Sequence, residues 1–369
     1  MSEYPNNSNR NREDLLRTDI TKDEIDAKVM DILTNASLSQ SEKGEKFQSL
    51  KEWLIAYREK FLKRKGKKQY PFGDPLLDKA IVRGAEPGSI GIFSATTGMG
   101  KTTVVKKIQK DLEKINVPVL WISLEMTGES QMDRKLAEKY NIPFEELTNP
   151  TDPLVYQKIL DIIDQEIKDS ETNRDVAFSD NPTWDFSKLR QAIIEFQKKT
   201  GSDYCVVIID LLTMLIEFCR VRNGMNFAQS IEVSMNLLSA LAKETNTHII
   251  GTVQFGRKAD SVKIMDFDDI PYTRPSLNDL KNSNALAERA RYVIGLHRPK
   301  AYAEKYLADK EETKEMEDII YYMVLKQNEG PTPTLQYLFD PKYFSINPIG
   351  SDTSLNEKAE VPESENHMI

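Results

Sequence analysis

Between Pro71 and Pro348, short apolar runs alternate with segments in which apolar residues recur every three or four positions, so strands and helices are predicted in turn. The runs predict strands at Ile90–Ser94, Val117–Leu124, Val176–Phe178, Cys205–Ile209, His248–Val253 and Tyr292–Leu296. Helical spacing marks Val104, Val105, Ile108, Leu112 and Ile115, then Leu189, Ile193, Ile194 and Phe196, then Ile231 to Glu244 with Leu237, Leu238 and Leu241. Alternation of this kind predicts the α/β class, a twisted, mainly parallel sheet with helices on both faces. Ile319 to Ile346 reads differently, as antiparallel strands turning at Glu329-Gly330-Pro331 and Asp340-Pro341.

Ahead of this core, Phe47, Leu50, Trp53, Leu54, Tyr57 and Phe61 recur at helical spacing and predict a short helical arm over about 45–64. Its apolar stripe either packs on its own core or docks on a neighbouring subunit. Arg58, Lys60, Lys63, Arg64, Lys65, Lys67 and Lys68 crowd the same stretch, as a solvated linker or a DNA contact. After Gly350 the chain is acidic, with Asp352, Glu357, Glu360, Glu363 and Glu365 against Lys358, and disorder is expected. The division is therefore 1–69 as amino-terminal segment and arm, 70–348 as core and 349–369 as acidic tail.

Composition narrows the classes. With 39% hydrophobic and 29% charged residues in 369, the chain can bury a core. The longest apolar run, Cys205 to Phe218, contains Asp210 and is too short to cross a bilayer, so no membrane partner is expected. The amino terminus has no apolar signal region, and a cytoplasmic location is expected. Cys205, Cys219 and three scattered histidines build neither a zinc site nor a disulfide framework. A net charge of −8 argues against a uniformly basic nucleic-acid surface but leaves room for basic loops.

The strongest local signal is Ala95-Thr96-Thr97-Gly98-Met99-Gly100-Lys101-Thr102-Thr103, which follows a predicted strand and opens a predicted helix. Gly98 and Gly100 let backbone N–H groups around Met99 and Thr103 curl toward phosphate oxygens, while Lys101 supplies a full charge and Thr102 a hydroxyl for Mg²⁺. ATP with Mg²⁺ is the expected ligand. The strand Cys205–Ile209 delivers Asp210 to the edge where ligands bind in open parallel sheets, as a Mg²⁺-orienting carboxylate or as a cap of the next turn. Glu125 closes another strand and is either a general base for water or a helix-start charge. Gln254 also ends a strand, as a γ-phosphate sensor or a polar cap.

Together these pieces resemble the ATPase domain of the DnaB-type replicative DNA helicases, over roughly Tyr70 to Pro348. Phe72-Gly73-Asp74-Pro75-Leu76-Leu77-Asp78 is similar to the segment that introduces that family's core. Ser123-Leu124-Glu125-Met126 followed by Arg134 is the most family-specific match, and it implies a catalytic Glu125 and a nucleotide-side Arg134. Ile209 to Met214, Ala240 to Glu244, Gln254 with Arg257, Asp279-Leu280-Lys281 and Lys326-Gln327-Asn328-Glu329-Gly330-Pro331 complete it. The resemblance implies a RecA-like P-loop NTPase fold, a hexameric ring, ATP hydrolysis and unwinding of DNA by translocation on single-stranded DNA. It also implies partners such as primase, a helicase loader or a polymerase.

Two departures stand out. The family shows Lys-Gln-Arg in the last motif, where lysine and arginine reach the γ-phosphate of the next subunit; here Lys326 remains and Asn328 replaces the arginine. Arg289 and Arg291 occupy a region that is acidic in the bacterial relatives. About 70 residues precede the core, fewer than the bacterial amino-terminal domain, so a compact phage-type member is expected. For DNA, one expected loop carries Arg220, Arg222 and Asn223, and another carries Arg257, Lys258, Lys263 and Arg274; ordinary solvated charge is the alternative for each. The rival functions are a RecA-like recombinase or mediator, and an ATP-gated DNA-binding or loading factor with slow hydrolysis.

Overall fold

The computed structural model describes residues 49–62, 64, 68–170, 176–223, 226–255, 263–280 and 284–349. Its helices are α1 (Leu50–Leu62), α2 (Pro75–Ala80), α3 (Lys101–Lys114), α4 (Gly128–Tyr140), α5 (Phe144–Thr148), α6 (Pro153–Ser170), α7 (Phe186–Thr200), α8 (Leu212–Asn223), α9 (Phe227–Glu244), α10 (Asn284–Arg289), α11 (Pro299–Tyr306) and α12 (Glu311–Glu315). The strands are β1 (Ser89–Ala95), β2 (Val119–Ser123), β3 (Val176–Ser179), β4 (Cys205–Asp210), β5 (Thr247–Gln254), β6 (Tyr292–His297), β7 (Ile319–Gln327), β8 (Thr334–Asp340) and β9 (Ser345–Pro348).

One nine-stranded sheet runs in the order β3-β2-β4-β5-β1-β6-β7-β8-β9. From β3 to β6 all neighbours are parallel; β7, β8 and β9 are added antiparallel. Every residue of β1 and β4 is buried, because helices cover both faces, and such strands read as continuous apolar runs. Side-chain alternation then divides the core in two. Val206 and Ile208 of β4 join α3 through Val104, Val105, Ile108 and Leu112. Cys205, Val207 and Ile209 face the other way, onto Leu189, Ile193 and Phe196 of α7 and onto α8 and α9.

All predicted strands are present, each with its ends moved by no more than two residues. Two expectations about helices change. Within the described residues the arm is α1, and it has no buried residue, so the reading in which it packs on its own core fails for those residues. Leu50, Trp53, Leu54 and Phe61 are all more than half exposed. Arg220, Arg222 and Asn223 belong to the last turn of helix α8 rather than to a loop. The cause lies in the sequence itself: Leu212, Leu215, Ile216 and Cys219 bury one helical face, so the apolar run that begins in β4 continues at helical period. Arg257, Lys258 and the acidic tail lie outside the described residues.

At the start of β1, opposite its phosphate-loop end, an aromatic cluster fixes the register. Gly91 admits the Tyr292 ring so closely that an added Cβ would lie 2.0 Å from it. His248 bridges the strands, with Nε2 2.9 Å from the Tyr292 hydroxyl and Nδ1 2.9 Å from Ser89 Oγ. Burial lowers the His248 pKa to about 3, and burial likewise lowers His297 to about 4. Both values fall below the unfolded one, so the stability that these neutral rings contribute is complete above about pH 6.5 and is lost as pH falls toward the folded pKa. Denaturant titrations should show a loss on the order of 3 kcal/mol per histidine between pH 6.5 and 4. His248→Gln should flatten that limb by about one proton; an unchanged slope would mean that His248 does not titrate with unfolding.

Candidate active site

β1 ends at Ala95 and the chain enters α3 through two left-handed glycines, Gly98 at φ 83° and Gly100 at φ 89°. A Cβ on Gly98 would meet nothing within 4 Å, so there the requirement is conformational rather than steric. Gly100 is the N-cap of α3, whose first backbone N–H groups have no partner within the helix and belong to residues that line the cleft. Lys101 folds back over the loop, its Nζ donating to the carbonyls of Ala95 and Thr96 at 3.3 Å each. Burial lowers its pKa, while the negative charges of Glu125 and Asp210 oppose that shift.

Asp210 ends β4 fully buried beside this loop. The Thr102 hydroxyl donates to its Oδ2 at 2.9 Å, the Thr252 hydroxyl of β5 donates to Oδ1, and the Leu124 amide donates to its backbone carbonyl at 2.6 Å. Burial raises its pKa despite the two hydroxyl donors and the nearby charges of Lys101 and Arg134. Gln254 ends β5 level with Ala95 in the register and donates from Nε2 to the Thr97 hydroxyl at 2.6 Å.

These elements border a cleft of about 470 Å³, within the size range of small-molecule sites. Gly98, Gly100, Lys101, Thr102, Thr103, Glu125 and Arg134 line it, so the structure brings together most of the residues singled out for the nucleotide site. Met99 sits in the core instead, with 5% exposure. Arg134, from α4, lies over the Phe344 ring at 4.6 Å, and its buried Nε has no hydrogen-bond partner. Burial lowers its pKa, with Asp210 and Glu125 pulling the other way.

Arg298, Phe339, Pro341 and Phe344 also line the cleft, and no local pattern in the sequence points to them there. The Asp340-Pro341 turn is legible, but nothing local says that the β8–β9 hairpin folds back over the phosphate loop. Arg298 is held by Asp318, Nε to Oδ1 at 2.6 Å, and lies over Phe339 at 4.2 Å. Lys326 does not join the cleft. It lies opposite Val293 near the start of β6, and its ammonium donates to the Ala290 carbonyl at the other edge of the sheet. Arg220 pairs with Glu217 on its own helix, and Lys263 and Arg274 are exposed on the segment after β5.

Among the described residues, no group of three or more His, Cys, Asp or Glu could hold a metal alone. One hydroxyl and one carboxylate at 2.9 Å suit Mg²⁺, which keeps waters and takes phosphate oxygens in place of a full protein cage. Without a cation, the raised pKa of Asp210 means that stability is greatest below the unfolded carboxyl pKa and declines as pH rises through the folded one. Asp210→Asn should therefore melt higher than the parent in EDTA, with the gap widening as pH rises from the unfolded carboxyl pKa through the folded one. A gap that is constant or reversed across this range would contradict the assignment of a strained buried charge.

Residues 73–347 match the family described as the DnaB-like helicase C terminal domain. Replicative DNA helicase DnaB of Geobacillus stearothermophilus is 25% identical over 331 residues, 88% of this chain and 66% of that protein. The DnaB-like replicative helicase of Enterobacteria phage T4 is 23% identical over 294 residues, 73% of this chain and 59% of that protein. The chain thus spans between about half and two thirds of the length of these curated relatives. A solved structure of an isolated ATPase domain superposes with a TM-score of 0.68 at 21% identity, over 82% of this chain and 100% of that one. A DnaB-like replicative helicase, solved in a study of its interactions with primase, gives 0.64 at 20% identity over 88% of this chain and 74% of that one. The fold shared with these structures is the RecA-like core, and with three quarters of its length inside the matched region the chain belongs to the DnaB-like helicase C-terminal domain family.

Proposed function

We propose that the chain is the ATP-hydrolysing motor of a hexameric replicative DNA helicase, cytoplasmic in a bacterial cell or phage-infected host, which moves on single-stranded DNA and unwinds duplex. The observation that carries this reading is one cleft lined by Lys101, Thr102, Glu125 and Arg134, with Asp210 and Gln254 hydrogen-bonded to its phosphate loop. Division of the chain at about residues 70 and 348 belongs to the same reading. No helix among the described residues is long and apolar enough to cross a membrane.

Lys101 holds the β and γ phosphates once its ammonium leaves the two carbonyls, and the free amides of α3 add donors around the same oxygens. Thr102 and Asp210 would hold Mg²⁺, which would compensate charge on those phosphates. Glu125, exposed at the end of β2, accepts a proton from the attacking water. Gln254 reports the γ-phosphate to β5 through Thr97, and Arg134 with Phe344 closes the far wall. Lys326 is too far along the sheet to serve its own cleft, which supports a role at the cleft of the next subunit. Phosphate neutralisation by Arg220, Arg222, Arg257, Lys258, Lys263 and Arg274, with Asn223 as a neutral hydrogen-bond donor, is the DNA side of the proposal: α8 and the segment after β5 leave the same sheet edge. For contacts with primase, a helicase loader or a polymerase, the family resemblance is the only support.

Lys101→Ala should lower ATP turnover by at least about 100-fold, since the phosphates lose a fixed cation. Glu125→Gln should keep ATP binding, read by fluorescent-nucleotide titration, and lose hydrolysis by roughly 100-fold or more. Turnover is measured with and without single-stranded DNA, and unwinding on forks of both polarities. Undiminished turnover in folded Lys101→Ala would remove the site assignment, and DNA-independent turnover without unwinding would favour the loading-factor reading.

The exposed apolar stripe of α1 fits a neighbouring subunit better than its own. A chain starting at Tyr70 should still melt cooperatively, losing the helical signal of α1 and the Lys68 bonds to the Asp78 and Ile81 carbonyls but no buried apolar contact of α1, yet sediment as smaller assemblies. Identical sedimentation with and without residues 1–69 would assign α1 no part in assembly.

A further inference from the structure

The edge of the sheet away from the cleft carries, beside Lys326, an arginine that the proposed function does not use. β6 and β7 pair antiparallel, with Tyr292 opposite Gln327 and Val293 opposite Lys326. The next pair outward is Arg291 and Asn328, joined by a 2.9 Å bond from the Asn328 amide to the Arg291 carbonyl. Residues directly opposite in an antiparallel pair project to the same face with Cβ atoms about 5 Å apart, and alternate residues along a strand share a face. Arg291, Asn328 and Lys326 therefore emerge together. A guanidinium on Arg291 starts within one side chain's length of where a guanidinium at 328 would start.

The local charges point outward to an anion. Lys326 is half-buried with no ion pair among the described residues, and both burial and the charge of Arg291 depress its pKa. Two cations held side by side repel unless a negative group joins them. Arg291 pairs with Glu86 and, at 3.6 Å, with the exposed Glu329, while its Nε has no hydrogen-bond partner. Glu86 and Glu329 also share Arg83, so either carboxylate keeps a cation if Arg291 turns away.

We propose that Arg291, the cross-strand neighbour of Asn328, supplies the guanidinium that position 328 lacks, reaching the γ-phosphate in the adjacent subunit's cleft beside Lys326. This rests on the proposed shared ATP site. A planar, permanently charged fork suits a phosphoryl group whose equatorial oxygens gain charge in the transition state, which an asparagine amide does not match. Relocation by one cross-strand step keeps the cation on the same patch, so the ring geometry needs no other change.

The experiment measures ATPase on full-length assemblies, with assembly verified by sedimentation. Arg291→Ala should lower kcat at least about 30-fold with KM for ATP within about threefold, as expected for an interaction made mainly in the transition state. Arg291→Ala with Asn328→Arg should recover most of that loss, because the guanidinium returns to the same face. The double variant Glu86→Ala/Glu329→Ala, which removes the in-subunit partners and leaves the guanidinium, should retain kcat within about threefold. A loss there equal to that of Arg291→Ala, or no rescue by Asn328→Arg, would make Arg291 a structural strut and overturn the proposal.

Subunit mixing separates the two levels of inference. Lys326→Ala mixed with Glu125→Gln tests the shared site, and Arg291→Ala mixed with Glu125→Gln tests this residue. Recovered activity in both mixtures supports the proposal. Recovery in the first alone keeps the shared site but places Arg291 outside it; recovery in neither, with mixing verified, overturns the shared site itself.

Discussion

A single buried carboxylate holds the carboxyl edge of the parallel strands together. Asp210 receives the Thr102 hydroxyl from the first turn of α3 and the Thr252 hydroxyl from β5, and its carbonyl receives the Leu124 amide just past β2. Four chain segments thus meet at one residue. An unpaired carboxylate with no exposure would be strongly disfavoured, so the two hydroxyls are required for burial at all, and they leave the group still poised toward its neutral form. In the proposed function that residual strain is useful: a divalent cation entering beside Thr102 meets a carboxylate that gains from its charge.

A second charge cluster fixes the helix on which the phosphate loop depends. Asp74 caps α2 by accepting from the Leu76 and Leu77 amides, and it also binds Lys107 of α3, which in turn binds Asp111. Burial works to lower the Lys107 ammonium, but Asp74 and Asp111 together hold it above its usual value. Tyr337 of β8 donates to Asp74 at 3.1 Å, so the hairpin that covers the cleft is tied to the same point. Gly73 is needed here, since a Cβ on it would stand 2.4 Å from the Asp111 carbonyl oxygen. The Phe72 to Asp78 segment is therefore a clamp on α3 rather than a leader into the sheet.

What is legible in the sequence follows from the range of each signal. Buried strands announce themselves as apolar runs, and a phosphate loop between strand and helix is a local pattern, so β1, β4, β5 and the Gly98 to Thr103 turn are readable residue by residue. The helices α4, α5 and α6 between β2 and β3 are not read in this way: α6 has an apolar stripe, but it buries only Ile159, so its pattern marks no part of the core. Arg220 reads as a loop residue because the strand and helix halves of one apolar run have no polar break between them except Asp210. Arg298 and Phe344 are invisible for another reason: they reach the cleft only through the β7–β8–β9 fold-back, which is long-range information. Arg291 stands out as a charge out of place, but its meaning needs the register that sets it opposite Asn328.

The sheet separates two chemical edges by one strand length. At the carboxyl ends of the parallel strands stand Lys101, Glu125, Asp210 and Gln254; at the start of β6 and the end of β7 stand Arg291 and Lys326. A ladder of about 3.3 Å per residue makes this gap too wide for either cation to cross within one chain. The same rigidity suits a ring, because a buried sheet transmits displacement from one edge to the other with little deformation. If nucleotide at one cleft draws the neighbour's Arg291 and Lys326 inward, the neighbour's whole sheet moves with them, including α8 and the segment after β5 that leave its far edge. In the proposed function, hydrolysis would then release the cations and the elements proposed to face DNA in one step, coupling turnover to movement through a rigid core.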